Sequence, residues 1–145
     1  MEKSSDTFSK LPLGKFLSGI GKRFLHTLNA ELKHLDIKRS YYALILIEEG
    51  KGKMTQQDLA DLLESDKVSV VRIVDYLSAI GYIKRVRVTT DRRKYGLTLT
   101  EKAEKELPLI KKVMTEVIKK ALKGLSPKRI EDLYETLNII KNNLN

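Results

Sequence analysis

Apolar residues recur at helical spacing through most of this chain. Between residues 11 and 35 they fall at Leu13, Phe16, Leu17, Ile20, Phe24, Leu28, Leu32 and Leu35, one face of a helix. Pro12 suits its first turn, while Gly19 and Gly21 lower its propensity, so this helix has to lean on packing. A second helix is expected from Lys38 to Glu49, stopped by Gly50; its centre, YYALILI, should be deeply buried. Thr55 reads as the N-cap of TQQDLADLL, with Asp58 in the first turn, and Asp66 as the cap of KVSVVRIVDYLSAIG. In that helix Val70, Ile73, Val74 and Leu77 form the core stripe, and Gly81 ends it.

The period then shortens to two. YIKRVRVT and KYGLTLT alternate as strands, with TDRR between them. Thr100 opens a long helix with apolar Ala103, Leu107, Ile110, Val113, Met114, Val117, Ile118 and Leu122, in which Pro108 should introduce a bend. Ser126 and Pro127 start the last helix, SPKRIEDLYETLNIIKNNL. The order is α-α-α-α-β-β-α-α, and no flexible linker divides it, so residues 1–145 read as one domain. The fold class is mainly α with a small β-hairpin.

A short helix, a tight turn, a second helix and a hairpin make a winged helix-turn-helix, expected over residues 38–99. With the core stripe of the second helix committed inward, Lys67, Val68, Ser69, Val71 and Arg72 face outward. Arg72 can donate two hydrogen bonds to a guanine, Ser69 can bond a base or phosphate, and the valines can meet a thymine methyl. Thr55 and Gln56, at the start of the preceding helix, complete the DNA-facing set on this lobe. From Lys84 to Lys94 six basic residues, among them Arg87, Arg92, Arg93 and Lys94, stand against one acid, Asp91. A tip so narrow and basic suits a minor groove. Asp91 is close enough to pair with Arg93 and brace the tip, leaving Arg92 to probe, although the two arginines can exchange roles.

Charge agrees with this reading. Lys and Arg number 28 against 19 Asp and Glu, a net +9, which favours polyanionic partners. The absence of cysteine removes disulfides and thiolate chemistry and fits a cytoplasmic protein. No apolar run approaches the roughly 20 residues of a membrane span, and the N-terminus lacks a secretory pattern. The two histidines, His26 and His34, lie two helical turns apart with no further ligands, so no metal or other cofactor is expected. No nucleophile–base pair or phosphate loop points to an enzyme. Few aromatics argue against RNA stacking. The remaining alternative is an architectural or protein-interaction winged-helix module that coats DNA without choosing a site.

Gly81-Tyr82-Ile83, Asp91-Arg92-Arg93 and Leu99-Thr100-Glu101-Lys102-Ala103, in that order after a helix-turn-helix, resemble the DNA-binding core of the MarR family of transcription regulators. The resemblance extends over about residues 11 to 143. Two features depart from the pattern: Val68 and Val71 stand where relatives often carry Ser or Thr, and TTDRRK is shorter than the usual wing. The resemblance implies a homodimer built by helices at 11–35 and 101–143, reading a pseudo-palindromic site on double-stranded DNA, in most cases as a repressor. The broad apolar stripe of Leu133, Leu137, Ile140 and Leu144 independently calls for a partner. It also implies release by a small anionic or phenolic ligand, for which Lys22, Arg23, His26, Tyr41 and Tyr42 are candidates; the alternative is that the tyrosines are core or interface and the cations solvated.

Overall fold

In the computed structural model of the chain, residues 12–35, 37, 40–88 and 91–145 are described, without the side chains of Asp91 and Arg92. Helix α1 spans Leu13–Leu32 and runs into a 3-10 turn at Lys33–Leu35. Helices α2 (Tyr41–Glu49), α3 (Gln56–Leu63) and α4 (Lys67–Ala79) follow, then strands β1 (Ile83–Val88) and β2 (Asp91–Leu99), then α5 (Glu101–Ala121) and α6 (Pro127–Asn143). The chain is mainly helical with one antiparallel two-stranded hairpin, in the expected order.

Two boundaries differ from the expectation. Helix α2 begins at Tyr41 and not at Lys38; Lys38 and Arg39 lie outside the described residues. Just ahead of the helix the Ser40 N–H donates to the Ile37 carbonyl at 3.0 Å, and Ile37 is fully buried. Strand β2 begins at Asp91, so the charged cluster belongs to the strand instead of separating two strands. Pro108 lies within α5 without ending it.

The core is made where α2 passes under the hairpin and α5. Leu32, Ile37, Leu44, Ile47, Leu59, Val70, Val74, Leu77, Leu97 and Ile110 are all essentially inaccessible to water. Burying each such side chain is worth about 1.5–3 kcal/mol, which makes this cluster the main source of cohesion. Ile73 is only partly buried and packs on the rim. The four predicted caps form: Thr55, Asp66, Thr100 and Ser126 each accept a backbone N–H of the following turn. Between α3 and α4 the chain reverses through Glu64, held at φ 51°. A left-handed non-glycine residue costs about 1–2 kcal/mol, here offset by the capping bonds from its own and the next N–H to the Asp61 and Ala60 carbonyls.

Away from the core the two ends of the chain are bare. In α1 only Leu28 and Leu32 are buried, whereas Leu13 and Phe16 are more than half exposed. Helix α6 buries no residue at all. Its tie to the helix-turn-helix is the Lys141–Glu64 ion pair at 2.9 Å, with both side chains largely in water.

Candidate nucleic-acid interface

The second helix of the helix-turn-helix owes its placement to its two faces. Val70, Val74 and Leu77 anchor α4 in the core. The remaining face presents Lys67, Val68, Val71 and Arg72 to solvent, with Val68 61% and Val71 42% exposed. Ser69 is half-buried and belongs to the cap: its N–H and its hydroxyl donate to the Asp66 carboxylate at 2.8 and 2.7 Å. The Ser69 N–H, and next its hydroxyl, hold the Asp66 carboxyl below its ordinary 3.8. With its proton engaged, the Ser69 oxygen keeps only acceptor capacity.

Thr55 is similarly engaged. Its hydroxyl accepts the Asp58 N–H at 3.1 Å while the Asp58 carboxylate accepts the Thr55 N–H at 2.9 Å, a closed capping box. Gln56, half-buried at the first position of α3, accepts from Arg85 of β1: Nη2 at 2.9 Å and Nε at 3.3 Å both donate to its Oε1. Arg85 also lies 3.4 Å from Asp75 on α4. One wing residue thus touches both helices of the reading head.

The wing is a regular ladder at its base and irregular at its tip. Ile83 pairs with Leu99 and the register holds to Arg87 opposite Tyr95; the next pair is Val88 with Asp91. The ladder therefore skips residues 92–94, a bulge in β2. Arg93 and Lys94 in that bulge are exposed, and Arg87 lies over the Tyr95 ring at 6.0 Å. The proposed bracing by Asp91 and probing by Arg92 fall on side chains outside the described residues.

Two residues that position the wing were not singled out from sequence. Arg85 is one. Gly96 is the other: β2 crosses the α2–α3 loop so closely that a Cβ on Gly96 would meet the Gly52 carbonyl oxygen at 1.8 Å, and the neighbouring Leu97 N–H donates to the Met54 carbonyl at 2.7 Å. A glycine inside a strand is the available signal for such an approach. The junction of α4, β1 and α5 is fastened by Thr100, whose hydroxyl donates to the Gly81 carbonyl at 2.6 Å. Lys102 donates to the Ile80 carbonyl at 3.1 Å and sits 4.7 Å over the Tyr82 ring. The Tyr82 hydroxyl bonds the Glu106 carboxylate.

The candidate ligand residues do not converge. Lys22, Arg23 and His26 are exposed on α1, and Tyr42 is 51% exposed. Tyr41 is buried, its hydroxyl donating to Asn29 Oδ1 at 2.6 Å. A cavity of about 300 Å³ lies between α1 and α5, lined by Ile20, Arg23, Phe24, Thr27, Val117, Lys120 and Ala121; of the five candidates only Arg23 reaches it. Among the described residues no group of three or more His, Cys, Asp or Glu is placed to hold a metal ion, and no helix is long and apolar enough to cross a membrane.

Residues 37–94 match the model of the MarR family. Among solved structures, a putative MarR family transcriptional regulator from Listeria monocytogenes complexed with 26mer DNA is 26% identical, with a TM-score of 0.83 over 91% of this chain and 88% of that one. An uncharacterized SlyA-like transcription regulator from Listeria monocytogenes is 27% identical, with a TM-score of 0.81 over 90% and 87%. The S. aureus MepR–DNA complex, at 18% identity, shares the fold with a TM-score of 0.85 over 92% and 96%. The capped helix pair, the basic wing and the flanking helices, together with these likenesses, give the chain the winged-helix fold of MarR-family transcriptional regulators, and residues 37–94 carry the match to that family's model.

Proposed function

We propose that this protein is a sequence-specific regulator of transcription that binds double-stranded DNA as a homodimer, and that it is not an enzyme. The observation that carries the reading is one exposed surface: Lys67, Val68, Val71 and Arg72 on α4, beside a wing whose bulge turns out Arg93 and Lys94. The helix lies in the major groove, with Arg72 on a guanine and the valines on thymine methyls. The wing grips the backbone and the neighbouring minor groove. DNA complexes among the relatives support this assignment.

Dimerisation follows from the bare helices. A 17-residue helix with no buried residue is marginal by itself in water. Leu133 and Tyr134 on α6 and Leu144 just past its end, with Leu13 and Phe16 on α1, are exposed as if awaiting a second copy. On this reading residues 11–35 and 101–143 form the dimer and 38–99 the DNA lobe. A two-fold pair sets its reading helices about one DNA turn apart and selects a pseudo-palindrome. Occlusion of a promoter, in the cytoplasm, makes the protein a repressor. Release follows if a small anionic or phenolic ligand favours a dimer whose heads are wrongly spaced; Arg23 and Lys120 at the rim of the α1–α5 cavity supply cations for one.

Binding-site selection with the purified protein, followed by competition with bulk DNA, tests the reading. Enrichment of an inverted repeat, bound orders of magnitude more tightly than bulk DNA, is expected. Equal competition by bulk DNA would replace the regulator with an architectural protein that coats DNA.

A further inference from the structure

The notch between α3 and α4 is about 140 Å³, lined by Gln56, Gln57, Ala60, Lys67, Val70 and Val71, and has room for a phosphate group. Three of its lining side chains carry donors: the Lys67 ammonium, the Gln56 amide and the Gln57 amide, whose nitrogen already donates to Asp61 Oδ1 at 2.9 Å. Whether Gln56 offers a donor or an acceptor depends on which way its amide is turned. Arg85 decides that. A guanidinium carries only donors, so the Gln56 oxygen must face Arg85, as the bonds of 2.9 and 3.3 Å record. The Gln56 NH₂ group is then turned away from the wing and makes no hydrogen bond among the described residues.

We propose that Arg85 is a positioning residue for DNA binding: it locks the Gln56 amide so that Nε2, together with Lys67 Nζ, seats one backbone phosphate in this notch. The proposal rests on the DNA-binding reading and adds to it a defined phosphate seat and the wing residue that prepares it. Arg85 acts through Gln56 and not as a phosphate contact. Its Nε and Nη2 are engaged by Gln56, and Nη2 lies 3.4 Å from the Asp75 carboxylate. The Asp75 pair, with both side chains substantially in water, adds little holding strength, so the double donation to Gln56 is what fixes the geometry. The same contact ties the base of the wing to the helix-turn-helix, which makes the seat and the wing parts of one unit.

The test is a double-mutant cycle of Arg85→Met and Gln56→Met, read as DNA dissociation constants over a salt series, with thermal unfolding as the control for folding. Arg85→Met is expected to weaken binding about five- to tenfold while leaving the slope of log K against log salt unchanged. In the Gln56→Met background it should weaken binding no further. Arg85→Lys keeps the charge and the methylene stem but loses the fork; a several-fold loss is expected for it too, which keeps the test alive if the methionine variant unfolds. A slope reduced by about one per subunit would mean that Arg85 itself neutralises a phosphate and would overturn the proposal. So would additive losses in the cycle, or full affinity in Arg85→Lys. Wild-type protein that binds no DNA would remove the functional reading itself, whereas wild-type binding indifferent to Arg85 removes only this inference.

Discussion

Replacing Gly96 with alanine should be among the most damaging small changes available in this chain. The added Cβ would lie 1.8 Å from the Gly52 carbonyl oxygen, 2.8 Å from its carbon and 3.3 Å from Lys53 Cα, all of them backbone. No rotamer change relieves such a contact, so the strand has to retreat from the loop by well over an ångström. That movement breaks the 2.7 Å bond from the Leu97 N–H to the Met54 carbonyl and leaves a buried donor without a partner, at a cost of about 1–3 kcal/mol. Overpacking strain adds about 1–3 kcal/mol. The expected loss of about 2–6 kcal/mol is a large part of the roughly 5–15 kcal/mol of a typical domain. Urea unfolding of wild type and variant at one fixed protein concentration measures it, and hydrogen exchange at the Leu97 amide reports the broken bond. DNA affinity should fall as well, since β2 carries the wing. A stability change under about 0.5 kcal/mol, the usual size for an ordinary surface substitution, with the Leu97 amide still protected, would refute the close approach.

Three further outcomes follow from the same geometry. Neutralising Arg93 and Lys94 together should weaken binding to all sequences alike and lower the salt slope by up to about two per subunit, read by titration over a salt series; an unchanged slope would take the bulge off the DNA. Leu133→Asp with Leu137→Asp should convert the dimer to a monomer of lower melting temperature, measured by sedimentation and thermal unfolding, and abolish the dependence of melting on concentration. Asp66→Ala should lower the melting temperature at neutral pH by removing the cap of α4. Because Ser69 lowers the Asp66 carboxyl below 3.8, that contribution is complete above the ordinary value and fades as pH falls through the depressed one. The gap between wild type and Asp66→Ala should therefore close toward acid; a gap that widens would contradict the sign.

Local chemistry was well written in the sequence. Thr55, Asp66, Thr100 and Ser126 announce their helices because a cap needs only its own turn, and all four caps form. The inward stripe of α4 was equally legible, since Val70, Val74 and Leu77 repeat at the period of the helix. What the sequence withheld depends on residues far apart in the chain. Arg85 reads as one more wing cation until Gln56, 29 positions away, is seen to accept from it. Gly96 reads as a weak spot in a strand until the α2–α3 loop is laid against it. Tyr41 reads as a ligand-pocket candidate or as core, and the bond of its hydroxyl to Asn29, across the helix pair, puts it in the core. The burial of Ile37 ahead of α2 belongs with these, because it depends on the assembled core.

The bulge at residues 92–94 divides the hairpin into two parts with different freedom to vary. Below the Arg87–Tyr95 pair the ladder is regular and three positions are tied beyond the hairpin: Arg85 to Gln56, Gly96 to the loop and Leu97 to Met54. Above it the ladder already skips three residues of β2. Lengthening, shortening or recharging the chain there shifts no paired residue below. The tip can therefore be exchanged like a tool in a fixed holder, and new reach or new charge can be tried there without re-folding the head that carries it.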